Sequence, residues 1–313
     1  MLTPEKKLDL ERQGYRLVGN HSFIKVCEWT KKAIKGKDTC YKCQFYGIHT
    51  WQCVQMSPTH LCDHRCVFCW RDTKYAYPSW QGPVDDPKDI IDGCIKEHVK
   101  YLLGFCGNPN VDKKRLEEMK NPKHFAISLT GEPTMYPKLP ELIQELSKRN
   151  LTSFLVTNGT IPSMVKQLIN NQPTQLYVSV YGPTEEIYKK SANPIASDGW
   201  SRLQETLSLL PKFKRTVIRM TLTKGYNMVN PELYGEMFKT AIANFYELKG
   251  YMWVGHSRER LEISNMPTHN EIVEFANAII KANPELKIVD QKAASRVVLL
   301  ARKDFDGRIM QFD

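Results

Sequence analysis

A chain of 313 residues has room for one large α/β barrel or two ordinary domains, and 42% hydrophobic with 25% charged residues is the balance of a globular protein. The amino-terminal stretch MLTPEKKLDLERQGYR has no apolar core, and no segment approaches the ~18 apolar residues of a spanning helix, so a cytosolic protein without membrane association is expected. The formal net charge of +10 suits a polyanion such as RNA and equally a plain basic surface, with Lys31, Lys32, Lys35, Lys37 and Lys212, Lys214, Arg215 as dense clusters.

In chain order, TWQCVQ at 50–55 alternates and reads as the first strand; alternation puts Trp51, Cys53 and Gln55 on one face. A helix opens near Asp86 with an Asp-Pro start. GNPNVDKKRLEEMKNP reads as a surface insertion. Strand-like runs then recur at HFAISL, TSFLV, QLYVSVY, RTVIRMTL and YMWV, separated mainly by helical segments such as LPELIQELSKR and PELYGEMFKTAIANF. Alternating strands and helices demand a parallel sheet with helices outside, and six such units suit a partial (β/α)6 barrel better than an open doubly wound sheet. Beyond residue 265 a further helix and one or two strands read as an extension packed on the barrel.

Nine cysteines in a reducing compartment point to metal ligation rather than disulfides, and seven of them lie between Cys27 and Cys69. Cys94 and Cys106 read as core thiols. CDHRCVFCW places Cys62, Cys66 and Cys69 at spacings of four and three in the loop after strand one, the carboxyl-end position where barrels keep their chemistry. Three thiolates on a four-iron cubane leave one iron open for the amino and carboxylate groups of a methionine, with Phe68 able to pack on an adenine. Structural zinc, wanting four closed ligands, is the alternative, with His64 or a distant cysteine as the fourth. Upstream, Cys27, Cys40 and Cys53 are thirteen residues apart, compatible with three segments converging, while Cys40 and Cys43 form a Cys-x-x-Cys pair that also fits a four-cysteine zinc site.

CDHRCVFC resembles the Cys-x-x-x-Cys-x-aromatic-Cys signature of the radical S-adenosylmethionine superfamily. The resemblance implies that LTGEP, with Gly131, Glu132 and Pro133, receives the methionine amino group, and that Thr157 and Asn158 in VTNG and Ser179 on the fourth strand contact S-adenosyl-L-methionine. Cys27, Cys40 and Cys53, followed by FYGIHTWQCVQMSP and the triplet, look like the tRNA 4-demethylwyosine synthases. That family implies a second four-iron cluster on the upstream cysteines, Cys43 not being required, and a functional lysine at Lys42 that forms an imine with a keto acid or stabilises a bound carboxylate. It further implies that N1-methylguanosine next to the anticodon of phenylalanine tRNA is joined to two carbons of pyruvate, after a 5′-deoxyadenosyl radical has taken hydrogen from the methyl group. Only 26 residues precede Cys27, so a separate electron-donor protein and a monomer of the archaeal stand-alone form are expected.

The expected division is residues 1–50 as a second-cluster segment, 51–265 as the barrel and 266–313 as a wyosine-base extension. Trp70, Tyr75, Tyr77 and Trp80 are candidates for base stacking, with core packing as the alternative for each. Rival readings are a different radical enzyme, such as a glycyl-radical activase, and a non-catalytic, zinc-bearing RNA-binding module.

Overall fold

The computed structural model describes residues 4–304 and 307–312, apart from the side chains of Pro4, Lys6 and Tyr75. Helix α1 (Pro4–Arg12) leads into a short hairpin, β1 (Arg16–Val18) and β2 (Ser22–Ile24), then helices α2 (Glu28–Ile34) and α3 (Tyr41–Tyr46). The parallel part begins at β3 (Cys53–Ser57) and continues through α4 (Pro87–Leu103), α5 (Lys113–Glu118), β4 (His124–Ile127), α6 (Leu139–Lys148), β5 (Thr152–Thr157), α7 (Pro162–Gln167) and β6 (Gln175–Ser179). It is completed by α8 (Glu185–Ala192), α9 (Gly199–Leu209), β7 (Thr216–Leu222), α10 (Pro231–Thr240) and β8 (Phe245–Gly250). The chain closes with α11 (His269–Ala282), β9 (Lys287–Lys292) and β10 (Val297–Ala301).

Strands β3 to β8 pair in sequence order and in parallel, each neighbour reached by a helical crossover. This is the partial barrel expected from the alternation. Two antiparallel hairpins extend the sheet, β1–β2 on the β3 edge and β10–β9 on the β8 edge. One face packs Val54, Phe125, Leu155, Val178, Ile218 and Leu248 under the outer helices. The other is concave and holds Phe154, Tyr177, Val217, Phe245, Val297 and Leu299, against which α3 lays Tyr41, Phe45 and Tyr46. Burial on both faces explains why these strands read as apolar runs.

Several boundaries differ from expectation. Thr50–Gln52 is a 3₁₀ turn and β3 starts at Cys53, so Trp51 leaves the Cys53 face; its indole donates to Glu118 (2.6 Å) and stacks on Arg115 (4.5 Å). The insertion therefore contributes a docked helix, α5, and Arg115 also reaches the Ala33 carbonyl at 2.8 Å. The last parallel strand is FYELKG, and YMWV begins the loop after it. Glu247 and Lys249 stand at inward positions of that strand, which hides its alternation. The carboxyl-terminal strands continue the barrel's own sheet through β8–β10 pairing. Cys94 is buried as expected, but Cys106 is exposed just past the end of α4. No helix among the described residues is long and apolar enough to cross a membrane.

Candidate functional site

The loop after β3 carries Cys62, Cys66 and Cys69 and is held from three sides. Beneath it, the Arg65 and Val67 amides donate to Asn193 and Ser191 carbonyls at 3.1 and 3.0 Å, and Ile195 N donates to the Asp63 carbonyl at 2.9 Å. Across the barrel mouth, the segment after β8 clasps it: His256 N donates to the Trp70 carbonyl at 2.9 Å, and Arg260 donates to the carbonyls of Val67 (3.1 Å) and Cys69. Gly255, at φ +58°, lies so close to the Trp70 carbonyl that a Cβ would collide with it. Within the loop, the Arg71 guanidinium donates to the His64 carbonyl at 2.9 Å. Burial pushes the Cys62 thiol up to about 12 and Cys66 well above its usual range, with Arg71 pulling both back. Buried thiols of this kind ionise when a cationic cluster compensates them.

The GEP turn abuts the same loop. Gly131 has φ +68°, and its missing Cβ makes room for the carbonyls of Thr59 and Leu61; Glu132 N donates to the Leu61 carbonyl at 2.6 Å. The buried Glu132 carboxylate accepts from Thr134 N (3.0 Å), Thr134 Oγ1 (2.6 Å), Thr157 Oγ1 (2.6 Å) and Asn158 N (2.7 Å), and Pro133 opens the short turn that follows. Asn158 Nδ2 and Thr160 Oγ1 in turn donate to Asp63 at 2.7 and 2.5 Å, joining the β5 turn to the cysteine loop. Burial, with Asp63 nearby, raises Glu132 to about 7. Phe68 packs on Tyr181 with ring centroids 5.0 Å apart, and Tyr181 follows Ser179, the last residue of β6, by two positions. Gly131, Glu132, Pro133, Thr157, Asn158, Ser179 and Phe68 thus gather around the triplet, on the ends of successive strands.

The upstream cysteines converge from three elements. Cys27 precedes α2, Cys40 precedes α3 and Cys53 opens β3. Thr50 ties the three segments: its carbonyl accepts from Thr30, which lies 3.6 Å from Cys27 Sγ, and its hydroxyl accepts from Cys40 N at 3.1 Å. The thiols lie in one another's field, and burial raises Cys40 to about 11 and Cys53 to about 12. Cys43 rides on α3, half-buried. Among the described residues no three His, Cys, Asp or Glu side chains are placed to hold a single metal ion. Three thiols on one loop, Cys62, Cys66 and Cys69, are a donor set that suits a four-iron cluster with one open iron, whereas structural zinc takes four closed ligands.

Lys42 is not an exposed loop lysine. Its Nζ lies inside the barrel, 4.4 Å from the Tyr177 ring centroid and 5.8 Å from that of Phe154. Burial lowers its pKa, favouring the free amine, while Glu247, Cys40 and Cys53 push it back. The fully buried Glu247 accepts from the Tyr41 and Tyr46 hydroxyls at 3.0 and 2.8 Å and pairs with Arg219 at 3.5 Å. Both tyrosines belong to α3, so this strand carboxylate seats the helix that carries Lys42.

Sequence reading missed Arg71, Tyr181, Asp63, Arg260 and Glu247. Arg71 and Asp63 lie within or beside the cysteine motif and were within reach; Arg260 and Glu247 act across nearly the whole chain length, which no local pattern records. Trp80 packs on His21 and Tyr136, a structural role, whereas Trp70 is exposed at the mouth; Tyr77 is half-buried, and the Tyr75 side chain lies outside the described residues.

Residues 56–237 match the radical SAM superfamily model, and residues 240–302 match the model for wyosine base formation. The S-adenosyl-L-methionine-dependent tRNA 4-demethylwyosine synthase of Pyrococcus abyssi is 46% identical over 309 residues, covering 97% of this chain and 90% of that protein. A solved structure of TYW1 with a lysine-pyruvate adduct bound superimposes with a TM-score of 0.87 at 34% identity, covering 96% of this chain and 97% of that one. An archaeal TYW1 structure gives 0.80 at 30% identity, with the same coverage of each chain.

Proposed function

This chain belongs to the tRNA 4-demethylwyosine synthases, radical S-adenosylmethionine enzymes of tRNA modification, and we propose that its two cysteine groups divide the reaction between them. Cys62, Cys66 and Cys69 would hold the radical-forming four-iron cluster, with S-adenosyl-L-methionine against Phe68, the Gly131–Glu132–Pro133 turn, Thr157, Asn158 and Ser179. When bound, these groups supply a 5′-deoxyadenosyl radical able to take hydrogen from the methyl group of N1-methylguanosine in phenylalanine tRNA. Cys27, Cys40 and Cys53 would hold a second four-iron cluster beside Lys42.

The observation that carries this reading is the Lys42 amine, desolvated inside the barrel between the fields of Cys40 and Cys53. Its nitrogen attacks the keto carbon of pyruvate, the keto oxygen leaves as water, and the resulting imine fixes the acid where the methylguanosine carbon must arrive. The relative with a lysine-pyruvate adduct favours this imine over a purely electrostatic lysine. The Glu247–Tyr41–Tyr46 seat orients the lysine over the apolar and aromatic barrel floor. The 1–50 segment supplies two of the second-group cysteines, 51–265 the radical-forming barrel and 266–313 the flank that completes the sheet. A cytosolic monomer served by a separate electron donor completes the reading.

The test is anaerobic incubation of reconstituted protein, reductant and S-adenosyl-L-methionine with tRNA containing N1-methylguanosine and pyruvate, followed by nucleoside mass spectrometry and iron analysis of the same sample. A tricyclic nucleoside carrying pyruvate-derived carbon, with about eight iron atoms per chain, is expected. Tricyclic base formed without pyruvate, or about four iron atoms in fully active protein, overturns the division of labour.

A further inference from the structure

We propose that Arg71 sets the reduction potential of the cluster held by Cys62, Cys66 and Cys69, by keeping a permanent positive charge against their sulfurs; the inference rests on the ligand reading above. Arg71 lies two residues past Cys69 and turns back under the loop. One terminal nitrogen donates to the His64 carbonyl at 2.9 Å and the other lies 3.5 Å from the Asp72 carbonyl. The guanidinium lies in the field of all three triplet cysteines, Cys62, Cys69 and Cys66, each of which favours its charged form.

The planar fork is fixed on loop carbonyls, and its proton is never lost in the working pH range. One-electron reduction adds negative charge to a centre already carrying three thiolates. A half-buried cation beside those sulfurs stabilises the reduced state more than the oxidised one, and the low local dielectric enlarges the difference. Arg260 provides the internal contrast: it grips the same loop, but only through the carbonyls of Val67 and Cys69. If bracing alone mattered, the two arginines would be equivalent.

The experiment is a redox titration of anaerobically purified holoprotein, followed by electron paramagnetic resonance of the signal that S-adenosyl-L-methionine perturbs. Arg71→Gln is expected to cut the reduced-to-oxidised ratio at a fixed potential tenfold or more, a midpoint lower by about 59 mV for one electron. Arg71→Lys should retain most of the wild-type midpoint, and Arg260→Gln should move it far less than Arg71→Gln. An unchanged midpoint in Arg71→Gln, an equal shift in Arg260→Gln, or a loss confined to S-adenosyl-L-methionine affinity overturns the proposal. If Arg71→Gln takes up no iron, Arg71→Lys decides: a midpoint within tenfold of wild type supports the charge, and one displaced further refutes it. A wild-type chain with no such signal defeats the ligand reading itself, a result distinguishable from all of these.

Discussion

The two cysteine groups are made in opposite ways. Cys62, Cys66 and Cys69 share one loop, and their geometry is local, braced by carbonyl contacts from Arg71 and Arg260. Cys27, Cys40 and Cys53 come from two helix starts and a strand, held in register by Thr30 and Thr50 and by the seating of α3 on Glu247. Each group has a half-buried cation in its field. The cation beside the loop is an arginine, which cannot give up its proton; the one beside the convergent site is a lysine, which can. On the proposed reading the first group would carry electron transfer and the second covalent substrate capture.

The sharpest way to break this comparison is to remove one ligand from each group. Cys66→Ala is expected to abolish S-adenosyl-L-methionine cleavage, a fall of more than about a thousandfold, whereas Cys27→Ala loses about four iron atoms and the tricyclic product while cleavage persists. Product analysis and 5′-deoxyadenosine release, measured together, check both, and joint loss in Cys27→Ala would mean that the groups are not independent. Next in size, Lys42→Arg keeps the charge but removes the nucleophile. We expect full iron content, product down at least a hundredfold and no pyruvate trapped by borohydride; near-normal product would return Lys42 to a purely electrostatic role.

Smaller effects test the scaffolds. Glu247→Ala removes the carboxylate partner of Arg219 and the acceptor of both tyrosine hydroxyls, leaving Tyr41 only the bond it accepts from Arg219 at 2.7 Å, and should cost about 3–5 kcal/mol in urea unfolding, with Glu247→Gln milder. Loss of product should exceed loss of radical formation, because α3 carries Lys42 and not the triplet. On the triplet side, Glu132 stands near 7 instead of the usual 4.5. A carboxyl whose folded pKa is raised holds a proton that the unfolded chain releases, so its contribution to stability falls as pH rises from about 4.5 through 7. Glu132→Gln should flatten that slope by at most about 3 kcal/mol between pH 4.5 and 8 in unfolding of the metal-free chain. A slope unchanged by the substitution would show that the four donors around Glu132 keep it ionised.

The (β/α) alternation, the triplet loop and the GEP and TNG turns were legible because each depends on neighbours within a few residues: spacing puts three thiols on one loop, and strand ends present the turns that follow them. The FYELKG strand escaped because its inward positions hold Glu247 and Lys249, polar groups that only a surrounding barrel explains. Two three-residue strands at the amino end were too short to leave a periodic signal.

From the sequence alone came the radical S-adenosylmethionine chemistry, since cysteine spacing is a local covalent constraint, and the expectation that the upstream cysteines act with Lys42, since family resemblance records residue identity. Only the tertiary structure decided where that lysine's amine stands. Its place on Tyr177 follows from a helix seated by Glu247, about 200 residues further along the chain, and its desolvation exists only once the barrel has closed around it. The same holds for the clasp of Arg260 on the cysteine loop: contacts between opposite edges of a sheet have no local signature, because closing the sheet is what brings them together.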